Sequence, residues 1–202
     1  MTQASKRTHH LAVAAMLSAV AAVLQFVEFS IPLIPSFVKL DISDLPALLG
    51  TFSLGPVYGV VIQLVKNLLH LPFGSSACVG ELSNFLLGAT FAFIAGIIYK
   101  KHKNRSGALW GSVAGAAAMA LISLPLNYFI VYPAYVVLYG LPLEGIVGMY
   151  EAILGTVAHV PTGNALFNCL LVFNVPFTLC KGLLDVALCF LIYKPLSPLL
   201  HK

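Results

Sequence analysis

The sequence predicts an all-α polytopic membrane protein, a single bundle of six transmembrane helices, and three observations carry that expectation. Hydrophobic residues make up 59% of the 202 positions and charged residues only 9%, with a mean hydropathy of +0.95, whereas soluble domains carry about 25% charge. The apolar runs are broken by proline and glycine at intervals that suit helices of about 20 residues, the length that spans a bilayer. Lysine and arginine gather at the two chain ends and in one loop, which in a lipid bilayer sets orientation and is no nucleic-acid footprint.

Span one is expected over residues 10–27. It follows Lys6, Arg7, His9 and His10 much as a signal peptide would, but no small polar cleavage region comes after it, so it reads as a retained helix. Pro32 and Pro35 then forbid helix through 30–41, leaving a semi-rigid flap placed to close near Leu40. Span two, 43–54, opens at Ser43-Asp44-Leu45-Pro46, where Asp44 reads as part of the cap, and stops at Gly55-Pro56. Span three follows at 57–71 and span four at 81–99, the latter running into the basic sequence Lys100-Lys101-His102-Lys103-Asn104-Arg105. Span five covers 109–135 and span six 166–194, so that residues 1–202 form one integral-membrane domain. Between the last two lies 140–164, whose apolar stretch from Ile146 to Val157 is too short to cross and reads as an interfacial or re-entrant helix. The four cysteines form no C-x-x-C pair, and three sit in apolar runs, which reads as buried, inert thiols.

Placing the basic loop 100–105 on the cytoplasmic side puts both termini there as well. The expected location is the cell membrane, with the lipid bilayer as solvent. In this layout Lys39, Asp41, Asp44, Lys66, Asn67, Glu81, Asn84, Asn127, Asn174, Thr178 and Lys181 all fall near the outer side. The pattern suits a small-molecule site that faces one compartment.

An intramembrane lysine is costly, so Lys181 either serves a cavity and its ligand or is paired with Glu81 or Asp41 for structure. Asn127 offers an amide donor and acceptor side by side, with helix-to-helix bonding as the alternative. Asn174 and Thr178 are four residues apart and share a helix face. Lys66 is expected to pair with Glu81. Tyr128, Tyr132, Phe129 and Phe177 are candidates for flat apolar walls. In span one, Ala15, Ser18, Ala19 and Ala22 make a small-residue stripe of the kind that lets a second membrane helix approach closely.

Phosphate-loop, zinc-peptidase and nucleophile-elbow signatures are all missing from the sequence, and the six histidines are not spaced as metal ligands. No cofactor and no metal are expected. Three function classes remain: a solute-binding transport component, a membrane enzyme using Lys181 or Glu81 as acid or base, and a scaffold. The absence of a nucleophile, base and orienter set argues against the enzyme.

The segments Glu28-Phe29-Ser30-Ile31-Pro32, Lys39-Leu40-Asp41-Ile42-Ser43-Asp44-Leu45-Pro46-Ala47-Leu48, Gly55-Pro56, Lys66-Asn67-Leu68-Leu69, Gly80-Glu81-Leu82-Ser83-Asn84-Phe85 and Pro176-Phe177-Thr178-Leu179-Cys180-Lys181-Gly182 resemble the riboflavin-specific substrate-binding (S) components of energy-coupling-factor (ECF) vitamin transporters. The resemblance covers nearly the whole chain. It implies a six-helix, non-enzymatic S component that captures riboflavin from outside as transported ligand and works with a transmembrane coupling subunit and two ATPases. Carried over by motif, Asn127 and Lys181 would contact the flavin, joined by Thr178, Asn174, Leu40, Lys39, Asp41, Tyr128, Phe177 and Glu81. The family often has asparagine at the position of Thr178, and Asn174, one turn earlier, is placed to compensate. Ala15, Ala19, Ser18 and Ala22 correspond to the surface that docks on the coupling subunit. The alternative within transport is an S component for another vitamin or a related small molecule.

Overall fold

The computed structural model describes residues 3–30, 39–74, 78–140, 142–154 and 165–200. Along the chain these form α1 (Gln3–Gln25), two-residue strands β1 (Phe29–Ser30) and β2 (Lys39–Leu40), α2 (Asp44–Leu54), α3 (Pro56–His70), a short turn of helix at Leu71–Phe73 and α4 (Val79–Lys101). After these come α5 (Arg105–Leu126), a π-turn (Asn127–Val131), α6 (Tyr132–Tyr139), α7 (Leu143–Leu154), α8 (Ala165–Cys169), a second π-turn (Leu170–Asn174) and α9 (Val175–Leu200). Both π-turns continue the helices on either side. The described residues therefore make seven helical rods, where the sequence reading counted six spans and one interfacial segment.

Four rods are long and apolar enough to cross a membrane: Gln3–Gln25, Val79–Lys101, Arg105–Leu138 and Leu166–Ile192. The other expected spans, α2 and α3, have 11 and 15 residues. Gly55 separates them with φ at +114°, a conformation L side chains rarely adopt, and Pro56 then starts α3 without needing its missing N–H. The helix at α1 begins earlier than expected because residues 3–10 contain no glycine or proline to stop it. The proline-broken flap lies outside the described residues at 31–38, and the β1–β2 pair, with Phe29 opposite Leu40, marks its two ends.

One apolar core is built on α2, where Leu45, Leu48, Leu49 and Phe52 pack with Phe91 and Ala95 of α4, Ala116 and Met119 of α5, and Val186 and Cys189 of α9. A Cβ on Gly115 would stand 2.7 Å from the Phe91 carbonyl oxygen, so glycine is what lets α5 lie against α4. Val13, Ala14, Leu17 and Ala21 fix α1 to Ala47 and Ile62. Of the cysteines, Cys169 and Cys189 are buried as expected, while Cys78 and Cys180 are exposed.

The apolar stretch expected at Ile146–Val157 is a helix from Leu143 to Leu154, and residues 155–164 lie outside the described set. Its Ile146 and Tyr150 are wholly buried against Val131, Tyr132, Tyr135, Leu166 and Leu170. That face is committed to the protein.

Candidate ligand-binding site

A cavity of about 300 Å³ lies at the end of the bundle where α1 and α3 finish and α2, α4 and α9 begin, opposite the Lys100–Lys101 end of α4. Its wall takes in Gln25, Lys39, Asp41, Asp44, Glu81, Asn84, Asn127, Tyr132, Tyr135, Asn174, Phe177, Thr178 and Lys181. Eight of the ten expected binding residues are thus brought to one space. The two exceptions are Leu40, which is half-buried on β2 and absent from the wall, and Tyr128, which packs edge-on against Phe129 and Phe167. One turn of helix separates Tyr128 from Tyr132, and it is Tyr132 and Tyr135 that face the cavity.

The π-turns explain how two asparagines reach the wall. Pro133 and Pro176 have no N–H for the carbonyls of Phe129 and Val172, four residues earlier, and the backbone just upstream takes wider turns, with Tyr132 N donating to Asn127 O and Val175 N to Leu170 O. Asn127 and Asn174, at one edge of each turn, are 6% and 3% exposed. Among the described residues the side chains of Asn127 and Thr178 have no hydrogen-bond partner, so their polar atoms remain for a ligand.

Beside the cavity is a buried charge cluster. Lys181 Nζ donates to Asp41 Oδ2 at 2.9 Å and to Asn84 Oδ1 at 3.1 Å, and stands 3.5 Å from Asp44 Oδ2. Lys66, wholly buried, donates to Asp44 Oδ1 at 2.5 Å and to Ser43 Oγ at 2.6 Å, and Gln63 Nε2 adds a bond to the same Asp44 oxygen at 2.8 Å. The Ser43 hydroxyl donates to Asp41 Oδ1, and Ser43 N donates to the same oxygen at 2.9 Å. Burial pushes the Asp41 carboxyl up, but the ammonium groups of Lys181 and Lys66 more than offset this and hold it below its ordinary 3.8. A folded value below the unfolded one means that the stability Asp41 contributes is present at neutral pH and is lost as pH falls through that lowered value.

Two sequence expectations are corrected here. Lys66 pairs with Asp44 and not with Glu81, whose Oε1 lies 3.0 Å from His70 Nδ1 instead. Asp44 is no cap, because its carboxylate is taken up by the ammonium group one helix away. Both alternatives for Lys181 hold at once, since it lines the cavity and is paired with Asp41. Asp185, one turn beyond Lys181, went unremarked in the sequence although a carboxylate in the middle of an apolar helix is the signal for it. It is wholly buried, and neither oxygen has a hydrogen-bond partner among the described residues.

Chemically, the described lining presents amide, hydroxyl, carboxylate and ammonium groups around aromatic walls, which suits recognition of a planar polar solute. The small-residue stripe of α1 divides. Ala15 and Ala19 are exposed, whereas Ser18 bonds Ala14 O within its own helix and is buried with Ala22 against the bundle.

Comparison with known proteins places the chain. Residues 9–193 match the family described as ECF transporter, substrate-specific component. The chain is similar to the riboflavin transporter RibU of Staphylococcus aureus (strain TCH60), 34% identical over 93% of this chain and 89% of that protein, and to the riboflavin transporter FmnP of Bacillus subtilis (strain 168), 29% identical over 95% and 94%. A solved chain described as "Structure and mechanism of the S component of a bacterial ECF transporter" matches with a TM-score of 0.73 and 33% identity, covering 97% of this chain and 99% of that one. The chain belongs to the family of substrate-specific components of ECF transporters.

Proposed function

We propose that this protein is the riboflavin-binding S component of an ATP-driven importer, a transport subunit and not an enzyme. The observation that carries the reading is the cavity itself: unpartnered Asn127 and Thr178 beside the Lys181 ammonium, with Tyr132, Tyr135 and Phe177 as walls. The isoalloxazine ring is planar, and one edge alternates hydrogen-bond donors and acceptors as uracil does. The Asn127 amide can pair with that edge, Lys181 can donate to a ring carbonyl or nitrogen, and the aromatic side chains cover the faces. A volume of about 300 Å³ lies at the small end of the range for ligand pockets, which runs from about 300 to 1,000 Å³. Titrating the purified protein with riboflavin, and separately with thiamine and biotin, tests this. Saturable quenching of flavin fluorescence at one riboflavin per chain, with no competition from the other two, is expected.

In this reading α2 and α3 cross together with the four longer rods to make six spans, and the basic turn at 100–105 and both termini face the cytoplasm, so the cavity opens outside. The partners are a transmembrane coupling subunit and two ATPases, and the exposed small-residue face of α1 at Ala15 and Ala19 is where the coupling subunit docks. Ala15→Trp or Ala19→Trp is then expected to leave riboflavin binding unchanged while abolishing uptake in cells that supply the other subunits, because bulk at an exposed site does not reach the cavity but keeps a second helix away. Normal uptake by these variants would remove α1 from the docking surface.

A further inference from the structure

Tyr150 is absent from the cavity wall, yet its hydroxyl lies 2.5 Å from the hydroxyl of Tyr132, which does line it. The Tyr132 hydroxyl in turn accepts a hydrogen bond from Asn174 Nδ2 at 3.2 Å. This chain of three side chains joins α7 in the connection after α6, α6 itself, and the π-turn that leads into α9. Tyr132, Tyr150 and Asn174 are 1%, 0% and 3% exposed, so water does not compete for the bonds, and in such surroundings each bond strengthens and orients the next.

An asparagine amide has two different ends and is free to turn over unless something holds it. Here Tyr132 takes the Nδ2 end of Asn174, which leaves Oδ1 as the atom available to a ligand. Removing the Tyr150 hydroxyl would take away the partner 2.5 Å from the Tyr132 oxygen and so loosen the constraint on which end of Asn174 faces the cavity. We propose that Tyr150 is a positioning residue for specificity: from outside the cavity it holds Tyr132 and Asn174 so that Asn174 presents an acceptor to a donor group on the ligand, such as a ring N–H or a hydroxyl. The inference rests on the reading that the cavity holds riboflavin. It also gives α7 a task, since its inward face, Ile146 and Tyr150, is what delivers the hydroxyl.

Tyr150→Phe keeps the ring and its packing and deletes one oxygen, and Tyr132→Phe breaks the same chain at its middle, so either variant tests the idea should the other fold poorly. In each, riboflavin release followed by recovery of flavin fluorescence is expected to be about three- to tenfold faster, the size of one lost hydrogen bond. The double variant is expected to release no faster than Tyr132→Phe alone, because the two residues act through one chain. A readout that needs no ligand accompanies this: in protein carrying isotope-labelled asparagine, the Asn174 side-chain amide resonance, assigned with Asn174→Asp, is expected to shift in Tyr150→Phe while those of Asn67 and Asn104 stay in place. An unmoved Asn174 resonance overturns the positioning role whether or not flavin binds, as does an unchanged release rate. A shifted resonance in a protein that does not bind riboflavin would instead refute the ligand assignment and leave the positioning of Asn174 standing.

Discussion

Replacing Lys66 by methionine is expected to cost the fold about 3–5 kcal/mol, the penalty for leaving a buried charge without its partner. The ammonium group is wholly buried and makes the 2.5 Å bond to Asp44 Oδ1. Without it the Asp44 carboxylate keeps the Gln63 amide and only a share of the Lys181 ammonium, which stands 3.5 Å from Oδ2 and is bonded to Asp41. A loss of this size lowers the melting midpoint by roughly 10 °C in a chain of this length. Adding Asp44→Asn to the same protein removes the orphaned charge and is expected to return most of the stability, since replacing both members of a buried pair is far cheaper than breaking it. A single variant as stable as the wild type would show that the pair contributes nothing.

The second large effect concerns binding. Lys181→Met is expected to weaken riboflavin affinity by about 1–3 kcal/mol, roughly 5- to 150-fold, as the loss of a charged hydrogen bond in a buried site requires. Because Lys181 also donates to Asp41 and Asn84, the variant loses stability too, and the two effects need separating. Asp41→Asn in the same chain neutralises the carboxylate that Lys181 served, so the double variant is expected to recover its melting temperature while its affinity stays low. Equilibrium titration and thermal unfolding of the same preparations read the two separately. Wild-type affinity in Lys181→Met would assign the lysine to structure alone.

What was legible in the sequence was what neighbouring residues decide. Gly55-Pro56 had to break the chain there, and the basic run at Lys100 had to end a helix at the water. Gathering Asn127, Asn174, Thr178 and Lys181 at one end followed from span lengths alone. What was not legible is the choice of partner. Lys66 had Glu81 and Asp44 within plausible reach, and only the antiparallel packing of α3 on α2 decides for Asp44. The same holds for α1, where small residues recur every few positions, but the angle at which the helix meets Ala47 and Ile62 determines that Ser18 and Ala22 turn inward while Ala15 and Ala19 stay outside. That Tyr132 lines the cavity while Tyr128, offered with it as a wall, does not has a local cause in the π-turn, which changes the helix face by part of a turn. The Tyr132–Tyr150 bond joins residues 18 apart across a connection with no helical period, and no spacing rule reaches it.

If the cavity between α1, α2, α4, α5, α6 and α9 holds riboflavin, the vitamin should leave the membrane with the protein. Mass spectrometry of the small molecule that co-purifies with the protein, extracted after solvent denaturation, tests it most directly. The mass of riboflavin is expected, together with flavin absorption in the visible that disappears from preparations of Lys181→Met. A different vitamin at one per chain, or an empty protein that riboflavin added in excess does not fill, would contradict it.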